Sequence, residues 1–184
     1  MKIATKAELS MQKYAKLIRD IPDFPKPGIV FKDITTLIKN GKAFDEVVDI
    51  FYKQLKSKKV STVVAIESRG FIFGGALAKR LKCGIVPVRK SGKLPWFTEK
   101  EEYELEYGTD SLHIHRDAIK KGEGVVIVDD LLATGGTIGA TCRLVEKLGG
   151  KVAKILVLVE LSFLNGRKKL DNYDFFSIVK YDSE

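Results

Sequence analysis

Cysteine is scarce in this chain: of 184 residues, only Cys83 and Cys142 carry a thiol. Two are too few for a disulfide framework, so both are expected to be buried, reduced thiols in a cytosolic protein. Long apolar runs are missing as well. No stretch approaches the roughly 18 residues of a membrane-spanning helix. Met1 to Asp20 carries scattered charges and lacks the apolar block of a secretory signal. There is no internal repeat, no low-complexity tract and no Pro/Gly/Ser-rich linker. Membrane, collagen-like and disulfide-stapled secreted classes are thereby excluded, and a single domain spanning 1–184 is the simplest organisation.

What is present is an ordinary globular composition, 45% hydrophobic and 30% charged, enough apolar material for a real core. Lysine and arginine number 32 against 24 acids, a formal net charge of +8. That balance favours anionic partners such as phosphorylated metabolites or nucleic acid. The lysines are spread along the chain and form no basic tail, which argues against nucleic acid.

Periodicity divides the chain into alternating elements. Ala7 to Ile18 reads as a helix, and the proline-rich segment from Pro22 to Gly28 as extended or turning. Phe44, Val47, Val48, Phe51, Tyr52 and Leu55 fall on one helical face within Ala43 to Lys56. Thr62 to Ile66, Gly84 to Val88, Val125 to Val128, Val152 to Leu161 and Phe175 to Val179 read as strands. Phe71 to Leu81 and Thr137 to Leu148 read as helices, the second ended by Gly149-Gly150. Continuous apolar strands alternating with helices predict an α/β fold, a mainly parallel sheet covered on both faces. Ligands bind such sheets at the carboxyl ends of the strands. The rule points to Glu67-Ser68-Arg69-Gly70, Arg89-Lys90, Asp129-Asp130 and Glu160-Leu161. Lys90 to Arg116 breaks the pattern and predicts a long loop or β-ribbon of the kind that serves as a lid.

The most informative segment runs from Val125 to Thr137. A buried strand delivers Asp129 and Asp130, and the turn Ala133-Thr134-Gly135-Gly136-Thr137 then opens a helix. Backbone N–H groups of such a turn and the helix N-terminus hold a phosphate, and two carboxylates suit sugar hydroxyls, Mg²⁺ or a developing cation. Other phosphate motifs fail. Gly135-Gly136-Thr137-Ile138-Gly139 does not fit G-x-G-x-x-G. Gly70 and Gly75 have P-loop spacing, but Ala76 and Leu77 stand where Lys and Ser/Thr are required.

This segment resembles the phosphoribosyl pyrophosphate (PRPP) signature of the type I phosphoribosyltransferases. Four further blocks are similar to the adenine-specific branch of that family: Phe24 to Ile34, Glu67 to Phe71, Val88 to Pro95 and Leu105 to Gly108. The resemblance implies the family's fold, with a small N-terminal hood at about 1–40 and a β-ribbon lid at about 91–116. It implies transfer of the phosphoribosyl group of PRPP to N9 of adenine, giving AMP and pyrophosphate. It implies Mg²⁺ carried by PRPP, with Asp129 or Asp130 as the protein's contribution, and a cytoplasmic homodimer acting on small molecules, without nucleic acid or membrane.

The resemblance also implies site roles. Ala133, Thr134, Gly135, Gly136 and Thr137 hold the 5′-phosphate, and Asp129 and Asp130 hold the ribose near C1′. Glu67, Ser68, Arg69 and Gly70, with a cis peptide at Glu67-Ser68, receive pyrophosphate together with Arg89, Lys90 and Lys93. Val30, Phe31, Lys32, Leu131 and Leu161 hold adenine, with Glu106 and Tyr107 from the lid. Glu106, Asp129, Asp130 and Arg69 form the catalytic set. Position 67 carries Glu where many members carry Asp, and position 32 carries Lys where many carry Arg; both changes keep charge. The acidic, aromatic stretch Trp96 to Glu102 is unusual for the family and has no assigned role beyond a hinge or a dimer contact. His113 and His115 share a strand face without an evident third metal ligand. Two alternatives stay open: a non-catalytic PRPP-sensing regulator, against which the short N-terminal segment argues, and a phosphoribosyltransferase for another base such as hypoxanthine or guanine.

Overall fold

A computed structural model of the chain describes residues 12–104 and 109–183. Two three-residue strands, β1 (Arg19–Ile21) and β2 (Phe31–Asp33), pair antiparallel. They lead into helices α1 (Thr35–Lys39) and α2 (Gly41–Lys53). Then come β3 (Thr62–Ile66), α3 (Gly70–Leu81), β4 (Gly84–Lys90), β5 (Thr98–Glu104), β6 (Thr109–His115) and β7 (Gly124–Leu132). Helix α4 (Gly136–Lys147), β8 (Lys151–Leu161), two short 3-10 turns (Ser162–Leu164 and Gly166–Leu170) and β9 (Phe175–Tyr181) complete the order.

Seven strands form one sheet in the order β5-β6-β4-β3-β7-β8-β9. The five from β4 to β9 along that order run parallel, and the β5–β6 hairpin pairs antiparallel at one edge. The apolar runs explain this arrangement. Val63, Val126, Leu156 and Leu158 face a core shared with Phe51 of α2 and Phe73 and Leu77 of α3. Their strand neighbours Val64, Ile127, Ile155 and Val157 face a second core with Ile138, Leu144 and Val145 of α4. A sheet buried on both faces needs apolar residues at every position, and these strands have them.

The ends of elements differ from the sequence-based expectation where tertiary contacts decide them. Helix α2 starts at Gly41, ahead of Ala43, because the Asn40 side chain accepts a hydrogen bond from the Ala43 N–H at 3.1 Å. Strands β4, β7 and β9 run beyond their apolar stretches, so Arg89, Lys90, Asp129 and Asp130 lie within strands, not after them. Of the helix expected from Ala7 to Ile18, residues 12–15 are helical and the chain turns by Ile18 into β1; the positions before 12 lie outside the described residues. Helix α4 ends as expected. Gly149 has φ +82°, its N–H bonds the Glu146 carbonyl, and the Gly150 N–H bonds that of Val145.

Asp33 fastens the N-terminal ribbon. It accepts from the Thr35 N–H at 2.9 Å and from Arg19 Nη2 at 2.6 Å, and these bonds lower its pKa from 3.8 to about 2. A carboxyl held low stabilises the fold above its ordinary pKa and loses that contribution as pH falls through about 2. Asp33→Asn is therefore expected to cost about 1.5–3 kcal/mol near neutral pH. Urea unfolding should show the gap between variant and native chain closing as pH falls from about 4 to about 2.

Candidate active site

A cleft of about 550 Å³ opens at the carboxyl ends of β3 and β7. Its floor is the end of β7. Asp129 and Asp130 are 7% and 5% exposed, and the Asp130 N–H donates to Asp129 Oδ1 at 2.8 Å. One wall is the loop after β3, residues 67–70, with a cis peptide at Glu67-Ser68 as the resemblance implied. Gly70 allows this loop to press on β7, since a Cβ there would lie 2.9 Å from the Val128 carbonyl oxygen and 3.0 Å from Asp129 Oδ1. The opposite wall is the turn 133–137, where Gly135 has φ +79° and caps α4. The first N–H groups of that 12-residue helix lack partners within it and stand at the cleft.

Electrostatics set this floor apart. Burial pushes the pKa of Asp129 well above 3.8, and the neighbouring Asp130 charge adds to it. Burial also raises Asp130, with the Arg69 guanidinium working against the rise. Arg69 Nε lies 2.8 Å from Asp130 Oδ2 without hydrogen-bond geometry, so that buried oxygen keeps an unused acceptor site. The same guanidinium sits over the Phe31 ring at 5.0 Å. It therefore links the N-terminal ribbon to the cleft.

The basic residues in and just after β4 divide. Lys90 lines the cleft, its Nζ 2.9 Å from Asp110 of β6, and that contact raises its pKa. Arg89 and Lys93 instead bracket Glu67, at 2.8 Å and 2.6 Å. Burial opposes the charged form of Glu67, but hydrogen bonds from Lys93 and Arg89 outweigh it and hold the carboxyl below its usual range.

Residues assigned to the base lie at two levels. Leu131 lines the cleft, and Leu161 packs with it on the first core. Phe31 meets Phe24 edge-on at 5.2 Å. The Lys32 side chain is buried, 2.9 Å from Asp20 and 4.4 Å over the Tyr181 ring, and Val30 is half-buried just before β2. Ser68, Ala133, Thr134, Gly136 and Thr137 line the cleft. Glu106 and Tyr107 lie outside the described residues.

Three contributors were not legible in sequence. Tyr103 and Leu112, from the β5–β6 hairpin, line the cleft. Gly166 stands behind the turn. A Cβ at Gly166 would lie 2.0 Å from the Ala133 carbonyl oxygen and 2.8 Å from the Gly135 nitrogen. The only signal for it was the turn-forming pair Asn165-Gly166. Among the described residues, no group of three His, Cys, Asp or Glu could hold a metal ion. The ring nitrogens of His113 instead meet Thr98 and Ser111, at 3.1 Å and 3.3 Å.

The family model for the phosphoribosyl transferase domain matches residues 33–183. The adenine phosphoribosyltransferase of Thermoanaerobacter pseudethanolicus is 57% identical over 173 residues, covering 94% of this chain and 100% of that one. Its crystal structure superposes with a TM-score of 0.90, covering 93% and 99% of the two chains. The Saccharomyces cerevisiae enzyme, solved with adenine and an imino-altritol bisphosphate, is 40% identical with a TM-score of 0.88, covering 92% and 98%. The adjacent acids and the glycine turn thus lie in a chain that matches these proteins almost end to end, and the chain belongs to the adenine phosphoribosyltransferases of the type I phosphoribosyltransferase family.

Proposed function

We propose that this cleft transfers the phosphoribosyl group of PRPP to N9 of adenine, releasing pyrophosphate and forming AMP. The observation that carries the reading is the placement of two buried adjacent carboxylates against the glycine turn that opens α4.

The 133–137 turn binds the 5′-phosphate through N–H groups of α4 and the hydroxyls of Thr134 and Thr137. Asp129 and Asp130 accept from the ribose hydroxyls, using the free acceptor site of Asp130 Oδ2. As the C1′–O bond breaks, its electron pair leaves with pyrophosphate and C1′ gains positive charge. The two carboxylates stabilise that charge in a site shielded from water. Arg69, Lys90 and the N–H groups of residues 67–70 receive the pyrophosphate, with Arg89 and Lys93 available through Glu67. The N9–C1′ bond forms, and the proton of the imidazole ring passes to Glu106. Backbone groups at Val30 and Lys32 read the 6-amino edge, with Phe31, Leu131, Leu161 and Tyr107 around the purine.

An acidic pair with no third ligand among the described residues suits Mg²⁺ that arrives with PRPP, held by Asp129 or Asp130. Bound there, it supplies charge neutralisation on the diphosphate.

In this reading the hood is expected at about 1–40 and the lid at about 91–116, the latter with the β5–β6 hairpin as its described part. The exposed Ile72 and Ile85, on adjacent elements, support a homodimer. The free thiols of Cys83 and Cys142 suit the cytoplasm.

The reading is tested by following AMP and pyrophosphate from adenine and PRPP. Both should appear in equal amounts with Mg²⁺ present, and chelation of the metal should stop the reaction. Tight PRPP binding without nucleotide formation would instead identify a sensor.

A further inference from the structure

The acidic stretch before the ribbon tip has no part in the reaction described above, yet its side chains are committed. Glu99 pairs with Arg116 at 2.8 Å, within the hairpin's own neighbourhood. Glu101 does something different. Its carboxylate reaches across to α4, where it meets Arg143 Nε at 2.6 Å and also Lys147 Nζ. Arg143 and Lys147 are four residues apart on one helical face. Both cations also donate to the β5 backbone: Lys147 to the Lys100 carbonyl at 3.2 Å and Arg143 to that of Glu102 at 3.4 Å. The Glu101 side chain is only 15% exposed, unlike the 65% of Glu102. Its carboxyl is held below the usual range by Lys147, against a smaller effect of burial, with Arg143 adding to Lys147.

The clamped strand leads directly to the cleft. Two residues on, Tyr103 is 7% exposed, and its ring carbon Cδ2 lies 3.1 Å from where a Cβ on Gly136 would stand. Its hydroxyl donates to Asp110 at 3.3 Å, and Asp110 holds Lys90. One carboxylate thus fixes the strand whose next inward residue packs on the phosphate turn and, through Asp110, reaches the cation at the cleft.

We infer that Glu101 is a positioning residue: it ties the β5–β6 hairpin to the helix that carries the phosphate turn, and so sets Tyr103 and Lys90 at the cleft. The inference rests on the reading that the 133–137 turn holds PRPP.

The test compares the native chain with Glu101→Gln, with Glu101→Lys, and with Glu101→Lys combined with Lys147→Glu. Glu101→Gln should raise KM for PRPP about fivefold with kcat within about twofold, the ratio that about 1 kcal/mol of lost pairing gives. Amide hydrogen exchange of β5 should quicken by a similar factor, while β3 and β8 stay unchanged. Glu101→Lys should be worse, and the charge swap should recover most of the loss. Unchanged KM and unchanged β5 exchange in Glu101→Gln would overturn the inference. So would uniformly faster exchange in every strand, or a swap that recovers nothing. Exchange is read without turnover, so a chain that formed no AMP would defeat the functional reading while leaving the clamp separately measurable.

Discussion

Asp129→Asn is expected to lower kcat for AMP formation by about 10²- to 10³-fold and, near neutral pH, to raise unfolding free energy by about 1 kcal/mol. Both effects come from one feature. Asp129 is buried beside Asp130, and burial together with that like charge raises its pKa well above 3.8. A group raised on folding stabilises the protein where it is protonated, below its unfolded value. That contribution is lost as pH rises through the folded value. At neutral pH the unsubstituted pair therefore costs stability, and the asparagine removes one of two crowded acids. Its Oδ1 still accepts the Asp130 N–H, so the turn geometry is kept. The same change removes a carboxylate from the place where C1′ becomes positive. Thermal unfolding at pH near 7 and near 4 should show the stability gain shrinking toward acid. Equal kcat in the two proteins, or a loss of stability at pH near 7, would count against the assignment.

Gly166→Ala is expected to lower kcat/KM for PRPP by at least about tenfold and destabilise the fold by about 1–3 kcal/mol. The residue makes no contact in the proposed chemistry. Its α-carbon is instead the surface on which the phosphate turn rests. A methyl there would sit 2.0 Å from the Ala133 carbonyl oxygen and 2.8 Å from the Thr134 carbonyl carbon, all rigid backbone. Gly135, with φ +79° and its own would-be Cβ 2.5 Å from the Gly166 carbonyl oxygen, packs as closely from its side. The turn must shift, and a shift near 1 Å at a phosphate-binding turn is enough for losses of this size. Steady-state kinetics at varied PRPP, with a urea melt, separate a moved turn from a general loss of folded protein. Unchanged KM and unchanged stability would mean that the two segments do not pack as described.

Parts of this architecture were legible because local rules and the tertiary fold agree there. The run Thr62–Ile66 is a strand end to end, since every residue in it is apolar or β-branched and all five are buried. Gly149 closes α4 because a left-handed residue is needed and glycine supplies it. The acidic pair and the glycine turn were legible by residue type and spacing. Other features depended on segments far apart in the chain. Strand β7 continues through Asp129 and Asp130, although two acids resemble a loop, because its pairing with the long β8 runs on to Leu132, while Gly70 and Arg69 pack against the acids. Strands β1 and β2 have three residues each, too short for an alternation pattern, and cross-strand bonds such as Arg19 to Asp33 define them. Gly166 matters because of Ala133, and Glu101 because of Arg143 and Lys147. No window of sequence contains either pair of partners. The acidic stretch that had no assigned role at the level of sequence gains one only when α4 lies beneath it.

On the function proposed above, the cleft between residues 67–70 and 133–137 joins PRPP to adenine in preference to other bases. The most direct measurement is the initial rate of nucleotide formation with PRPP and Mg²⁺ in four parallel reactions, containing adenine, hypoxanthine, guanine or orotate. AMP from adenine, with the other three bases left unconverted, is the predicted result. Faster turnover of another base, or PRPP bound with no nucleotide formed from any base, would contradict it.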